Sequence, residues 1–219
     1  MKVCVVGSGG REHAFAKTLS TEAEVVITPG SAGIEGSTPE PATAIDADLY
    51  VIGPEVPLVN GLADELRASG HYVFGPGSDG ALLEASKAWM KDLVHAAGVP
   101  TAGYASFGEN QIEEVAGFLL TLEPPYVVKT DGLAAGKGVL VTDDYEEAVS
   151  DARNKLSGIS FGDAGRRIVI EEGLVGPELS LFALCDGQQA VLIPTSAQDH
   201  KRLRDDDCGP NTGGMGCYS

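Results

Sequence analysis

Short apolar runs alternate with amphipathic segments along the chain, and glycine or proline separates most of them. In the first third of the chain these runs have the length of buried strands and are nearly continuous in valine, isoleucine and aromatic residues. Helical periodicity between them predicts strand–helix repeats, and hence an α/β fold with a small parallel sheet. The predicted strands are residues 2–6, 25–28, 49–52 and 72–74, the predicted helices are residues 12–19 and 61–68, and residues 29–44 are predicted to be loop.

The rest of the chain predicts a second unit of longer helices and hairpin-joined strands. A domain boundary is predicted near Ala85, which gives one domain at 1–85 and another at 86–219. Residues 79–97 are predicted as one helix. Its apolar face carries Leu82, Leu83, Trp89, Met90, Leu93 and Val94. The other predicted helices are residues 111–122 and 145–156, and the predicted strands are 126–129, 139–142, 168–172, 178–184 and 190–194, with a hairpin turn at Asp186-Gly187 and loop at 196–219.

Charge and cysteine content narrow the classes of function. The formal net charge is −17, from 32 acidic and 15 basic residues, which argues against a nucleic-acid partner because phosphate binding needs a basic surface. No apolar run approaches the roughly 18 residues of a membrane span, so we expect a cytoplasmic protein without a membrane partner. Cys4, Cys185, Cys208 and Cys217 form no C-x-x-C pair and are predicted to be free thiols. A metal site at Cys208 and Cys217 is the weaker alternative.

The first motif with chemical content follows the first predicted strand and reads Gly-Ser-Gly-Gly-Arg-Glu-His from Gly7. Glycines at a strand–helix turn let backbone N–H groups approach an anion. A dinucleotide-binding fingerprint requires glycine where Glu12 stands and an acid near the end of the second strand, where Thr28 stands. The motif therefore favours the phosphate of a sugar phosphate over a nicotinamide cofactor, and a tight turn without ligand is the alternative.

A second motif, Gly-Pro-Glu at residues 53–55, follows another predicted strand. It is expected at the carboxyl edge of the sheet, where open α/β sheets bind ligands. Glu55 could there accept hydrogen bonds from sugar hydroxyls. A rigid turn with a solvated glutamate is the alternative.

A third motif places Lys129 at the end of a predicted strand, and a loop of small residues with Lys137 leads into the next strand. Such a loop suits closure over a polyphosphate, to which lysines supply positive charge. It is not a Walker A loop, because Gly138 stands at the Ser/Thr position and no helix follows.

The remaining motifs carry weaker signals on their own. Residues 169–180 run from a strand into a connector that could pair with an adenine edge, with Glu178 as a candidate ribose ligand. Residues 196–202 cluster an acid, an imidazole and two cations, and residues 209–216 form a glycine loop suited to gripping an anion. Solvated strand ends and loops are the alternatives.

Taken in order, the motifs resemble those of the phosphoribosylamine–glycine ligase family, whose second half belongs to the ATP-grasp superfamily. The resemblance extends from Met1 to Ser219 and implies a small parallel-sheet, pre-ATP-grasp domain followed by an incomplete ATP-grasp domain with a mixed or antiparallel sheet. The lid subdomain would lie at about 101–168. The strings that carry the resemblance are GSGGREHA, GPE-x-PL, SKA-x-x-K-D, K-x-DGLAAGKGV, IEE-x-L-x-G-x-E, QDHKR and GPNTGGMG.

The resemblance also implies roles for individual residues. The residues implied to bind ATP are Lys87, Lys129, Gly132, Gly136, Lys137, Gly138, Glu172, Leu174 and Glu178. Those implied to contact substrates are Gly9, Gly10, Glu12, Glu55, Gly213 and Gly214. Those implied to act near the γ-phosphate are Asp199, Lys201 and Asn211.

The implied reaction joins glycine to 5-phosphoribosylamine in purine synthesis. ATP would phosphorylate the glycine carboxylate, and the amine would capture the resulting glycyl phosphate. The residues that hold Mg²⁺ are expected beyond Ser219, so a chain ending there is expected to be an inactive fragment. The segment before the third strand is also shorter than is usual in the family, which predicts a helix-poor crossover. The sequence carries no signal for oligomeric state.

Two other functions remain open at the level of sequence. One is a nucleotide-binding module without catalysis, which a true stop codon after Ser219 would favour. The other is a different ATP-grasp carboxylate–amine ligase, which assays with other amines and acids would separate from the first.

Overall fold

The structure, a computed structural model, describes residues 1–134, 138–206, 208–212 and 215–219, with the side chain of Asn211 outside the description. The predicted α/β class is confirmed, with a parallel sheet in the N-terminal part and antiparallel sheets after it. No helix in these described ranges has the length and apolar character required to cross a membrane.

The N-terminal sheet is fully parallel, with strand order β2-β1-β3-β4. Its central strand packs on both faces, with Val3 and Val5 toward the first helix and Cys4 and Val6 toward the next two. Burial raises the pKa of the Cys4 thiol to about 11. The elements in chain order are β1 (Lys2–Gly7), α1 (Gly10–Leu19), β2 (Glu24–Pro29), β3 (Leu49–Ile52), α2 (Glu55–Val59), α3 (Leu62–Ala68) and β4 (Tyr72–Phe74).

The connection from β2 to β3 contains no α-helix, as predicted. It runs alongside the outer edge of β2, where Ile27 N donates to Gly36 O at 3.0 Å and Thr38 N donates to Ile27 O at 2.9 Å. A single 3₁₀ turn at Ala42–Ala44 leads toward β3. The short segment thus satisfies backbone groups on the edge of the sheet.

The predicted single helix at 79–97 is wrong, because the structure has two helices, α4 (Ser78–Ala85) and α5 (Lys87–Ala96). Ser86 between them is extended, with φ −134° and ψ 111°, and its hydroxyl accepts a hydrogen bond from Trp89 N at 3.1 Å. The predicted apolar face is also wrong for part of its length. Leu83, Trp89 and Leu93 are exposed, whereas Ala88 and Lys91 are buried.

A four-stranded antiparallel sheet follows, with strand order β5-β8-β6-β7. Two helices cover one of its faces and bury a core that includes Phe107, Val128, Ile168 and Ile170. The first strand was not predicted. The elements are β5 (Tyr104–Gly108), α6 (Ile112–Leu119), β6 (Tyr126–Thr130), β7 (Val139–Thr142), α7 (Tyr145–Leu156) and β8 (Arg167–Glu172).

The C-terminal segment is built from strands, so the loop predicted for 196–219 is wrong. The last strands are β9 (Ser180–Cys185), β10 (Ala190–Asp199), β11 (Arg202–Arg204), β12 (Cys208–Asn211) and β13 (Cys217–Tyr218). β10 is longer than predicted and pairs antiparallel with β9 and β13. At the predicted hairpin turn, Asp186 accepts hydrogen bonds from Gln188 N at 2.9 Å and Gln189 N at 2.7 Å.

Candidate nucleotide and substrate sites

The open face of the antiparallel sheet carries a cluster of charged side chains. Side chains alternate across a strand, so Ile168 and Ile170 of β8 face α6 and α7 while Val169 and Glu171 face α5. On the neighbouring strand Lys129 pairs with Val169, which makes it a diagonal neighbour of Glu171. The strand register therefore sets this lysine beside this carboxylate.

Glu171 lies between two lysines. Its Oε2 is 2.9 Å from Lys91 Nζ and its Oε1 is 2.9 Å from Lys129 Nζ. The side chains of Lys91 and Glu171 are only 4% and 6% exposed, whereas that of Lys129 is 26% exposed. The contact of Oε1 with Lys129 is an ion pair, and Oε1 accepts no hydrogen bond within the described part of the chain. Lys129 is thus the member of the cluster that solvent or a ligand can reach.

Asp131 fixes the start of α5 against the loop that follows β6. Its carboxylate accepts hydrogen bonds from Ala88 N at 2.7 Å and from Ser86 Oγ at 3.0 Å, while its carbonyl accepts from Lys87 N at 3.3 Å. A carboxylate at a helix N-terminus satisfies unpaired N–H groups and interacts favourably with the helix dipole. The backbone of Lys87 is therefore held against Asp131, which lies two residues after Lys129 in the chain.

The base of the predicted phosphate loop is closed. Thr130 N donates to Gly138 O at 2.8 Å, and Asp131 N donates to Arg167 O at 2.9 Å. A Cβ on Gly132 would lie 3.0 Å from Ala164 Cβ, and one on Gly138 would lie 2.7 Å from Ala134 Cβ. Both glycines thus stand where a side chain would collide with its neighbours. Gly136 and Lys137, also predicted to bind ATP, lie outside the described residues.

The end of β8 and the segment after it hold the two residues predicted at the adenine hinge, Glu172 and Leu174. Glu172 ties this segment to β5, because its Oε1 accepts from Gly103 N at 2.7 Å and its N donates to Gly103 O at 3.0 Å. Leu174 is exposed. The predicted hinge therefore begins at a residue fixed by hydrogen bonds, and its next named residue, Leu174, presents an apolar side chain to solvent.

A third cluster gathers Glu178, Lys201 and Asp199 in an open cavity of about 1000 Å³ that also contains Leu174. Lys201 Nζ is 2.9 Å from Glu178 Oε1 and 3.3 Å from Asp199 Oδ2. The hydrogen bond to Glu178, aided by the one to Asp199, raises the pKa of Lys201 although partial burial opposes it. Lys201 is therefore a protonated side chain that lies between two carboxylates.

The structure does not bring every predicted ATP ligand into one cavity. Among the described residues, Lys87 and Lys129 do not line the cavity of Glu178. The two groups are linked by β7, because Val139 pairs with Lys129 and Val141 lines that cavity. Asn211, Gly213 and Gly214 were predicted at the same place, but the Asn211 side chain and both glycines lie outside the description.

In the N-terminal domain, Glu12 is a buried carboxylate rather than an open ligand. It is 4% exposed, and its Oε2 accepts from Gly9 N at 2.8 Å. A Cβ on Gly7 or Gly53 would overlap this side chain. The glycines at the carboxyl ends of β1 and β3 therefore leave the space that Glu12 occupies. Gly9 and Gly10 are exposed at the turn. Of the predicted substrate residues here, Glu12 therefore supports the turn that the two glycines present.

Arg11 is a residue that the sequence did not single out. Its Nε lies 3.0 Å from Glu12 Oε1, and its two terminal nitrogens each donate to Glu55 Oε1 at 3.2 Å. Burial works against the charge, but the hydrogen bonds to Glu12 and Glu55 raise the pKa of Arg11 above its ordinary value. The guanidinium joins two motifs predicted separately, at one wall of a cavity of about 890 Å³.

Lys91, Asp131 and Glu171 were also missed by sequence reasoning. Lys91 follows Lys87 by one helical turn, and that spacing could have placed both on one face of α5. Glu171 is the one charged residue among the four buried positions of β8, which are residues 168–171. A charge in such a buried strand signals a partner.

These features define a class of protein. An antiparallel sheet with helices on one face and lysines on the other, preceded by a parallel-sheet domain, is the ATP-grasp fold. The same fold is found in D-alanyl-alanine synthetase A from Vibrio cholerae, with a TM-score of 0.65, 15% identity and coverage of 90% of this chain and 66% of that one.

Within that class, the chain belongs to the phosphoribosylglycinamide synthetase family. The description "Phosphoribosylglycinamide synthetase, N domain" matches residues 1–84, and "Phosphoribosylglycinamide synthetase, ATP-grasp (A) domain" matches residues 85–219. The family resemblance inferred from the motifs is thereby confirmed.

Individual relatives agree with this assignment. The chain is 46% identical to phosphoribosylamine–glycine ligase from Xanthomonas axonopodis pv. citri and to that from Escherichia coli K12, in each case over 100% of the chain and 54% of the relative. The crystal structure of phosphoribosylamine–glycine ligase from Thermotoga maritima matches with a TM-score of 0.82 and 36% identity, over 99% of this chain and 55% of that one. The chain thus spans about half the length of the relatives it matches.

Proposed function

We propose that this chain supplies the substrate-binding and nucleotide-lysine parts of an ATP-dependent ligase that joins glycine to 5-phosphoribosylamine in purine biosynthesis. The products would be glycinamide ribonucleotide, ADP and phosphate. We further propose a glycyl phosphate intermediate, formed when the glycine carboxylate attacks the γ-phosphate. The partners are small molecules, and cytoplasmic location stays a prediction of the sequence.

One observation carries the nucleotide part of the proposal. The start of α5, which carries Lys87, is hydrogen-bonded to Asp131, two residues after Lys129 and at the base of the glycine loop. Two lysines at the foot of a small-residue loop suit a polyphosphate, because ammonium groups neutralise its oxygens and loop N–H groups can close over it. The donor set therefore fits the phosphates of ATP, and the hinge at Glu172 and Leu174 would receive the adenine.

The described residues do not fit a magnesium site. Among them no group of three or more His, Cys, Asp or Glu side chains could hold a metal ion. Glu178 and Asp199 already share the charge of Lys201. We therefore assign no step of the reaction to Mg²⁺ within these residues.

The chemistry assigned to this chain is positioning and charge neutralisation. Lys87 and Lys129 would hold the triphosphate, while Lys201 would neutralise charge near the transferred phosphoryl group, with Asp199 fixing its position. Gly9, Gly10 and the Arg11–Glu55 pair would bind the phosphoribosylamine. We propose no covalent protein intermediate.

We propose that the chain divides into domains at 1–85 and 86–219, with the lid subdomain at about 101–168. The separate N-domain and ATP-grasp family matches support this division. The four-stranded antiparallel sheet with α6 and α7 corresponds to the lid.

The test is an assay of ADP release by a protein of the relatives' full length that carries this sequence. We expect release to require both glycine and phosphoribosylamine, and to fail when another amino acid or amine replaces either. The chain alone is expected to release none. ADP release that ignores phosphoribosylamine, or that prefers another acid–amine pair, would contradict the proposed substrates.

A further inference from the structure

We propose that Lys91 is a buried positioning residue that keeps the positive charge of Lys129 available to the nucleotide. This inference deepens the proposed function and rests on its assignment of Lys129 to the phosphates of ATP. Lys91 would act through Glu171, without touching the ligand.

The surroundings of Lys91 leave it no free donor. Its Nζ contacts Glu171 Oε2 at 2.9 Å and donates to Thr101 Oγ1 at 2.8 Å and to Ala102 O at 3.2 Å. An ammonium group has three donors, and two hydrogen bonds together with the ion pair to Glu171 account for them. The Tyr104 ring, whose centroid is 5.4 Å from Nζ, closes another side. A nucleotide could reach this ammonium only by displacing protein groups.

The role of Lys91 follows from the charges around Glu171. If Glu171 faced Lys129 alone, its carboxylate would cancel the positive charge of that lysine, because the two groups are 2.9 Å apart. Lys91 engages the other carboxylate oxygen, so the three side chains together keep one positive charge. Lys129 is the most exposed of the three, and that charge is therefore presented on the ligand side.

A purely structural role for Lys91 makes a different prediction. Buried ion pairs add little net stability, and replacing both partners by neutral groups of similar size is often tolerated. If Lys91 only filled space, nucleotide affinity would not depend on the sign of the charge removed. If it balances Glu171, affinity follows the net charge of the cluster.

The experiment compares Lys91→Met, Glu171→Gln and the double variant with the wild-type chain, by calorimetric titration with ATP and with adenosine at low ionic strength. The cluster would carry no net charge in the first variant, two positive charges in the second, and one in the double variant and the wild type.

We expect ATP affinity to fall about tenfold in Lys91→Met, since one unit of charge near phosphates changes binding by about this factor. It should rise in Glu171→Gln and return to the wild-type value in the double variant. Adenosine affinity should stay unchanged throughout.

The outcomes separate this inference from the proposed function. A double variant that binds ATP as weakly as Lys91→Met, or parallel losses for adenosine, would show a structural role and overturn the inference. If Lys91→Met does not fold, Glu171→Gln must still bind ATP more tightly than the double variant, and equal affinities would overturn it. A wild-type chain with no preference for ATP over adenosine would contradict the nucleotide assignment itself, and the inference with it.

Discussion

At the scale of single residues, the N-terminal site depends on one buried carboxylate and the glycines around it. Glu12 interrupts the dinucleotide fingerprint, and this exclusion could be predicted from the sequence. The structural role of Glu12 could not be predicted. The space that its side chain fills is bounded by Gly7 and Gly53, which are distant in sequence and meet only in the parallel sheet. Arg11 was missed for the same reason, since its partner Glu55 belongs to another strand end.

Gly53→Ala is predicted to expel Glu12 from its position, because the added Cβ would overlap the carboxylate. The bond from Gly9 N would be lost, and we expect destabilisation of about 1–3 kcal/mol, the usual range for overpacking. Urea unfolding measures it. Gly10→Ala is the matched control, because no atom lies within 4 Å of a Cβ there. Equal stability of the two variants would contradict the assigned packing.

At the scale of elements, the sequence predicted the regular helices and strands well and the breaks between them poorly. The strands at 49–52, 72–74 and 139–142 and the helix at 145–156 are confirmed with unchanged bounds, because each has a clear period and breakers at both ends. The break at Ser86 was missed, since the residue that stabilises it, Asp131, lies 45 positions away. Strand β5 and the last three strands, β11 to β13, are short or polar, and only their pairing reveals them.

Asp131→Ala is predicted to loosen the start of α5, because Ala88 N and Ser86 Oγ lose their acceptor. We expect a loss of about 1–2 kcal/mol in stability, as for other N-terminal helix caps, together with weaker ATP binding, because the start of α5 that carries Lys87 keeps only its backbone bond to residue 131. Unfolding curves and ATP titration measure the two effects.

Asp144→Ala provides the control for this prediction. Asp144 caps α7 by accepting from Glu146 N at 2.8 Å and Glu147 N at 3.1 Å, and α7 packs on the face of the sheet opposite to Lys129. It should lose similar stability and keep its ATP affinity. Similar ATP affinity in both variants would show that the Asp131 contact does not position the nucleotide lysines.

At the scale of the whole molecule, the β9–β10 hairpin differs from the rest of the chain. Leu181, Leu184, Val191 and Leu192 are all more than half exposed, whereas most residues of the central strands β1 and β8 are buried. Apolar surface of this kind usually marks an interface or an association-prone patch. Because the chain spans about half of its relatives' length, the sequence could predict the hairpin but not what covers it.

The chain on its own is therefore predicted to bind the dye ANS at this hairpin. Leu184 and Val191 are cross-strand partners, and replacing both by serine should lower the ANS fluorescence by about half or more, because their joint apolar patch is lost. Ile159→Ser, at a position outside the hairpin that is even more exposed, should leave it unchanged. Unchanged ANS fluorescence in the hairpin variant would show that the dye binds to another surface of the chain.

The central claim is that the lysines at the foot of the glycine loop bind the phosphates of a nucleotide. A crystal structure of the chain with a non-hydrolysable ATP analogue measures this directly. We predict phosphate oxygens within hydrogen-bonding distance of Lys87 and Lys129 Nζ, with the adenine beside Glu172 and Leu174. Phosphates bound instead at the edge of the N-terminal sheet, with both lysines free of the ligand, would contradict it.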